Sequence, residues 1–327
     1  MPNIRAVLAT PYALGCWLGV AGRDARKGHD LIFTYHGTPP QRAAELERQL
    51  RYLRREFRIV PLASLAASPL ARRPAHAVRQ VAITFDDGLR SNVTVAYPIL
   101  RKLGIPAAFF VCPGLIEEGR WLWTHEMRWR LDYAGRGLRQ ELAAELGAPA
   151  VLEPFIEWMK RLDLPTRKHV EARLREATPR FVPTAADRRA FDLAGWRELR
   201  ALDPATVSVG SHSMTHPILP ALSAAVLEVE LRDSRRAIEA KLPGPAELFA
   251  YPNGNFDANV VACARRYYRI AVSTEASAVL PGHDLHLLPR LNAPSGVLRL
   301  AWRLNRPLPH AAREPLRAQP TTLPLVG

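Results

Sequence analysis

Cysteine is nearly absent from this chain. Its three cysteines, Cys16, Cys112 and Cys263, are odd in number and far apart, which excludes a disulfide-stapled scaffold and suits a reducing compartment. Lysine is scarce too, with five against forty arginines, so the net charge of +14 is carried almost wholly by arginine. A balance of that sign admits nucleic acid, an anionic membrane surface or an acidic polymer as partner. No RNA- or DNA-binding signature and no G-x-x-x-x-G-K-S/T phosphate loop accompanies it, so no nucleic acid is expected and the excess reads as compositional. Long apolar runs are missing too. The best stretch, Ala6 to Ala21, is interrupted by Pro11 and Gly15 and lacks a clean signal-peptide cleavage site, which points away from a membrane span or a secreted form. There is no internal repeat.

What the chain does have is a hydrophobic content of 48% over 327 residues, enough for one large α/β domain with an insertion. Three short apolar runs end abruptly in polar residues. Val81-Ala82-Ile83-Thr84-Phe85 reads as a strand buried on both faces, and it stops at Asp86-Asp87-Gly88. Adjacent strand residues point to opposite sides, so the two carboxylates cannot share one task. An isolated Asp-Asp-Gly is most often a turn; a second run alters the balance. Val207 to Ser211 ends in His212, with His216 four residues on and Pro217 excluding a continuous helix. Two histidines and an acid at strand ends form a candidate two-His-one-carboxylate metal site with open coordination positions. The third run, Leu248 to Tyr251, breaks at Pro252-Asn253-Gly254. A fourth, Leu31 to Tyr35, ends in His36, whose imidazole is suited to proton transfer. In a parallel β/α barrel such strand ends gather on one face, where active sites are built.

The remainder organises itself around these runs. Residues 1–28 form an apolar and basic N-terminal segment, expected to lie against the body or a membrane surface. Residues 29–294 form the main domain, with a helical insertion at about 115–195. Its tryptophans, Trp121, Trp123, Trp129 and Trp158, are candidates for stacking on sugar rings, although Trp129 and Trp158 suit a core better. Late strands are expected over Tyr268–Ser273 and His286–Leu291. Residues 295–327 form a basic, proline-rich tail whose Leu298–Leu304 piece suits either an anionic lipid surface or the barrel.

The segments Thr84-Phe85-Asp86-Asp87-Gly88, His212-Ser213-Met214-Thr215-His216 and Tyr251-Pro252-Asn253-Gly254 resemble, in that order, the motifs of the polysaccharide deacetylases, the NodB-homology domain of carbohydrate esterase family 4. The resemblance implies an irregular, partial (β/α) barrel of about seven strands. It implies Asp86 as general base and Asp87, His212 and His216 as ligands of a divalent metal, most readily zinc, with cobalt, nickel, manganese and iron open. It also implies oxyanion and substrate contacts at Asn253 and Tyr251. Two departures stand out. Ala250 occupies the place where many members carry an arginine bracing the base, and Arg290 is the candidate replacement. The usual C-terminal acid histidine motif is missing; in a circularly permuted arrangement His36 would be the acid, with His283 and His286 as rivals. The implied reaction removes an N-acetyl or N-formyl group from an amino sugar of a polysaccharide or lipid-linked glycan. The expected location is the cytoplasm or the periphery of the inner membrane. The competing readings are a non-catalytic glycan-binding protein on the same scaffold and a carbohydrate O-acetyl esterase.

Overall fold

Apolar β-branched and aromatic runs separated by amphipathic helical stretches can bury both strand faces only in a parallel sheet with helices packed on it. The computed structural model describes residues 29–67 and 79–304, with Pro11, Leu14, Gly15, Trp17 and Leu18, and shows that architecture. The first elements are β1 (Leu31–Tyr35), α1 (Ala43–Glu56), β2 (Arg58–Ile59), α2 (Leu62–Ala67), β3 (Gln80–Phe85), α3 (Tyr97–Leu103) and β4 (Ala107–Val111). Seven helices follow: α4 (Pro113–Glu118), α5 (Trp123–Tyr133), α6 (Gly135–Leu146), α7 (Leu152–Met159), α8 (Leu164–Ala177), α9 (Ala185–Phe191) and α10 (Trp196–Arg200). The chain then returns to the sheet with β5 (Val207–Ser211), α11 (Ala224–Lys241), β6 (Leu248–Ala250), α12 (Ala258–Tyr267), β7 (Ile270–Val272), β8 (Leu291–Asn292) and α13 (Val297–Leu304).

Seven strands run in the order β7-β6-β5-β4-β3-β1-β8, every ladder parallel, with β2 paired to β3 off that path. The result is a partial barrel. Alternation sorts the side chains into two layers. Leu31, Phe33, Val81, Ile83 and Phe85 pack outward with Leu46, Leu50 and Leu53 of α1. Ile32, Ala82, Ala108, Phe110, Ala250 and Val272 form a second, inward cluster. Tyr35 pairs with Phe85 and Val111 with Ser211, so the residues after these strands, His36, Asp86 and His212, emerge at one end of the sheet.

The helices between β4 and β5 carry a core of their own around Trp123, Met127, Leu131, Leu142, Phe155, Met159 and Leu174. Helix α9 (Ala185–Phe191) falls within the expected helical insertion. Its start is a capping box in which Thr184 and Asp187 satisfy each other's backbone N–H groups. The expected strand His286–Leu291 is corrected: the chain there makes a bridge between Leu288 and Val272, and only Leu291–Asn292 forms a ladder. Of the two settings open to Leu298–Leu304, the structure shows packing on the barrel: Leu300, Ala301 and Leu304 are buried in the core beside α1. Among the described residues no helix is long and apolar enough to cross a membrane. The expected segment 1–28 and the tail beyond 304 lie mostly outside the described residues. Trp17 is an exception, packing on the core while Arg55 donates to its carbonyl.

Candidate active site

At the end of β3 the backbone turns left-handed. Asp87 has φ 72° and Gly88 φ 66°, and a Cβ on Gly88 would come within 3.1 Å of the Val111 backbone, so any other residue there would be both strained and crowded against β4. Among the described residues, four non-glycine positions have positive φ: Asp87, Ser213, His216 and Asn253. All four lie in the three motifs. Left-handed backbone costs a non-glycine residue about 1–2 kcal/mol, and such strain collects where function fixes geometry.

The strained turns bring Asp87, His212 and His216 together. Their ligand atoms all lie within 4.8 Å of one another, and all three residues are buried. Asp87 Oδ1 is 3.7 Å from His212 Nε2 and 3.6 Å from His216 Nε2. These gaps are too long for hydrogen bonds, yet near the separation of about 3.3–3.5 Å between ligands on a tetrahedral ion with bonds of about 2.0–2.1 Å. His212 Nδ1 lies 2.7 Å from the Ala250 carbonyl, which can only accept. Nδ1 therefore carries the proton and Nε2 is left with a lone pair toward Asp87. Burial lowers the pKa of both imidazoles, that of His216 to about 3, so both are neutral and able to coordinate a cation. Burial alone would raise the Asp87 carboxyl; His36, His216, His125 and His212 around it reverse the balance and hold it below its ordinary value. The three residues fit a divalent metal.

The loop bearing His216 is clamped from two sides. Thr215 gives its N–H and hydroxyl to Glu230 on α11 at 3.0 and 2.6 Å. From the insertion, the Trp123 indole donates to the His216 carbonyl at 3.1 Å, with the Arg167 guanidinium 4.5 Å above its ring. Trp123 is therefore a positioning residue. Trp123→Phe keeps much of the ring packing and removes the donor. It is expected to weaken metal binding by about 10- to 100-fold, the usual worth of a group that orients a ligand. Metal titration of the stripped variant checks this, and an unchanged affinity would count against the clamp.

Asp86 points the other way, into the barrel. Arg290 meets it in a fork, Nη1 to Oδ1 and Nη2 to Oδ2, both at 2.7 Å. The same guanidinium gives Nη1 to Thr84 Oγ1 at 3.1 Å and Nε to the Ser273 carbonyl at 2.8 Å. The Arg290 side chain is 0% and the Asp86 side chain 4% exposed. Burial pushes the Asp86 carboxyl up, but the charge and hydrogen bonds of Arg290, with His212 and His36 nearby, hold it well below the usual carboxylate range. Asp86 is thus a fixed carboxylate, held ionised by Arg290, beside the cluster of Asp87, His212 and His216.

His36 is exposed at the end of β1, where the Asp86 N–H donates to the Tyr35 carbonyl at 2.9 Å, and its charge acts on both aspartates. The rival histidines sit elsewhere. His286 Nε2 lies 2.8 Å from the carbonyl of Tyr268, before β7 and so at the opposite end of the sheet, and His283 Nδ1 accepts from the Leu280 N–H. Tyr251 does not join the site through its side chain. It is fully buried, and its hydroxyl donates to the His286 carbonyl at 2.9 Å. Asn253 is exposed on the left-handed turn after β6.

Sequence reasoning missed His125. It stands on α5, its charge interacts with Asp87, His36 and His216, and its Nδ1 is buried without a partner among the described residues. Its ring lies 4.7 Å from Phe191, which also contacts Trp121 and Trp129. Trp121 and Trp123 are buried, and the Trp121 and Trp129 indoles donate to Asp192 and Asp187. Those indoles knit the insertion together.

The sequence of the domain matches the family model for polysaccharide deacetylase over residues 74–269, more than half of the chain. The chain belongs to the polysaccharide deacetylase family. Solved structures share the fold of this deacetylase at low identity. The Streptococcus pyogenes deacetylase PplD, in complex with acetate, is 18% identical with a TM-score of 0.57, over 86% of this chain and 100% of its own. IcaB from Ammonifex degensii is 18% identical with a TM-score of 0.57, over 85% and 98%. The BpsB deacetylase domain from Bordetella bronchiseptica is 17% identical with a TM-score of 0.50, over 82% and 96%. Among curated proteins the chain has no match.

Proposed function

We propose that this deacetylase hydrolyses the N-acetyl (or N-formyl) group of an amino sugar in a polysaccharide or lipid-linked glycan, with a divalent metal, zinc first, held by Asp87, His212 and His216. The observation that carries the reading is the meeting of three convergent, neutral-or-anionic ligand atoms with an ionised carboxylate locked by Arg290. A divalent cation bound there supplies Lewis acidity toward an acyl oxygen and lowers the pKa of water. The protein's own groups do the rest. Asp86 is held ionised and oriented, so it can accept the proton of the attacking water. Arg290 fixes that orientation at the expense of some basicity. The backbone N–H of Asn253, presented by its left-handed turn, supplies a donor for the developing oxyanion. His36, exposed and beside both aspartates, delivers a proton to the departing amine nitrogen. Residues 29–294 form the catalytic domain in this reading, with 115–195 as its insertion.

A non-catalytic binder gains little support, since strained turns and buried charges are costly to keep without chemistry. The test is product analysis on a panel of N-acetylated, N-formylated and O-acetylated oligosaccharides and lipid-linked sugars. Released acetate or formate and a free amine, abolished by chelation and restored by zinc, is the expected result. Undiminished turnover in a metal-free preparation, or release from O-acetyl sugars alone, would overturn it.

A further inference from the structure

One histidine beside the ligand cluster has no task in the hydrolytic reading. His125 stands in the first turn of α5, and that turn is fastened to the site on several sides. Just before it in the same turn, the Trp123 indole donates to the His216 carbonyl at 3.1 Å. On another side the His125 ring lies 4.7 Å from the ring of Phe191, the last residue of α9. The chain after Phe191 is laced to the turn that carries Asp87. There the Arg90 N–H donates to the Asp192 carbonyl at 2.8 Å, Leu193 bridges Leu89, and the Ala194 N–H donates to the Gly88 carbonyl at 2.9 Å. The Ala190 carbonyl also reaches the end of β1, 3.7 Å from where a Cβ on Gly37 would stand. His125 is thus enclosed by the supports of His216, Asp87 and His36.

Its two nitrogens differ. Nδ1 is buried with no partner among the described residues. Nε2 likewise makes no hydrogen bond among them, but it is open to solvent. Burial lowers the pKa of the imidazole, so at neutral pH one nitrogen carries a proton and the other a lone pair. Inside proteins an unpaired N–H is rarer than an unpaired acceptor, which places the proton on Nε2. The charge of Asp87 acts on the ring across a gap that no hydrogen bond or ion pair closes among the described residues. A free donor beside that gap needs an acceptor brought by the substrate. In an acylated amine the nitrogen faces the acid, and the carbonyl oxygen is the atom that gains charge when the carbon is attacked. We propose that His125 is a second donor to the acyl oxygen, its Nε2–H acting from the insertion as the Asn253 N–H acts from the turn after β6. The bond strengthens as the oxygen becomes an oxyanion, and the proton stays on Nε2 throughout. Resting on the deacetylase reading, this brings the insertion into the reaction itself.

The experiment compares His125→Phe, which keeps a ring against Phe191 and removes both nitrogens, with His125→Gln, whose amide nitrogen stands in for Nε2. On the N-acetylated sugar that the wild type turns over best, His125→Phe should lower kcat by about 10²-fold, the lower end of the worth of one oxyanion donor. His125→Gln should recover part of that loss. Zinc affinity and the urea unfolding midpoint should stay at the wild-type values in both, whereas a merely structural role would shift them. Acetate binding to the zinc-loaded protein, followed by calorimetry, is the arm that needs no turnover. Acetate presents a charged oxygen, so His125→Phe should bind it roughly 10- to 100-fold more weakly, the worth of a hydrogen bond to a charged group. His125→Gln should bind it more nearly as the wild type does. If the wild type turns over no acylated sugar, the reading of the function fails, and the acetate arm alone decides the donor. Unchanged kcat and unchanged acetate affinity in His125→Phe would overturn it. So would a fall in zinc affinity that accounts for the lost rate. Loss of the alkaline limb of the pH–rate profile would overturn it too, since His125 would then be the acid.

Discussion

Arg290→Met is expected to destabilise the folded protein by about 3–5 kcal/mol, the usual result of removing one partner of a buried ion pair. The loss comes less from the missing attraction than from the carboxylate left behind. Asp86 would be buried with no guanidinium, and Thr84 and the Ser273 carbonyl would each lose a donor. The pH dependence separates this from lost packing. In the wild type the folded pKa of Asp86 lies below its ordinary value of 3.8. The pair's contribution is therefore complete above that value and is lost as pH falls below it, through the lower folded pKa. In the variant, burial acts alone and raises the carboxyl, which becomes neutral in the folded state. Its penalty then shrinks as pH falls. Urea unfolding of both proteins should thus show a gap that is widest near neutrality and narrows toward pH 4. A gap of the same size at both pH values would mean that Arg290 acts as filler. Arg290→Lys should recover only part of the loss, because an ammonium cannot form the fork.

His36→Ala is expected to lower kcat by about 10²–10⁴-fold while metal content stays at the wild-type level, the signature of a positioned acid as opposed to a ligand. His36 is exposed at the end of β1, and unfolding curves of variant and wild type that overlay separate lost catalysis from a folding defect. Normal turnover in this variant would overturn the assignment. His125→Ala is the informative control, since its imidazole acts on the same aspartate from the insertion side. If His125→Ala is the dead variant and His36→Ala is active, the acid comes from α5.

Much of the site was legible because one pattern repeats. β3, β5, β6 and β1 are short apolar strands that end in Asp86, His212, Tyr251 and His36, and a parallel sheet must gather such ends. Tyr251 shows the limit of that pattern: period-two alternation turns it away from His212, into the layer with Phe249 and α12. Arg290 could be nominated but not placed, since the chain from His286 to Arg290 forms no ladder and irregular backbone carries no period. His125 was out of reach for a different reason. Helix α5 buries Trp123, Met127 and Leu131 at four-residue spacing, and His125 lies off that stripe, where a sequence reader expects solvent. Only the packing of α5 over the strand ends turns that face toward Asp87. The partner of Trp123 was likewise hidden, since a buried indole needs an acceptor without saying which carbonyl it finds.

The clasp between Arg290 and Asp86 joins residues 204 positions apart. On a ribosome adding about 5–20 residues per second, Asp86 is made roughly ten to forty seconds before its partner exists. During that interval β1, β3 and β4 can pair, but burying the acid at their ends is unfavourable. The late segment that carries Arg290 is therefore what lets that end of the sheet close over a paired charge. A chain that stalls before residue 290 holds Asp87, His212 and His216 but leaves Asp86 without its paired guanidinium.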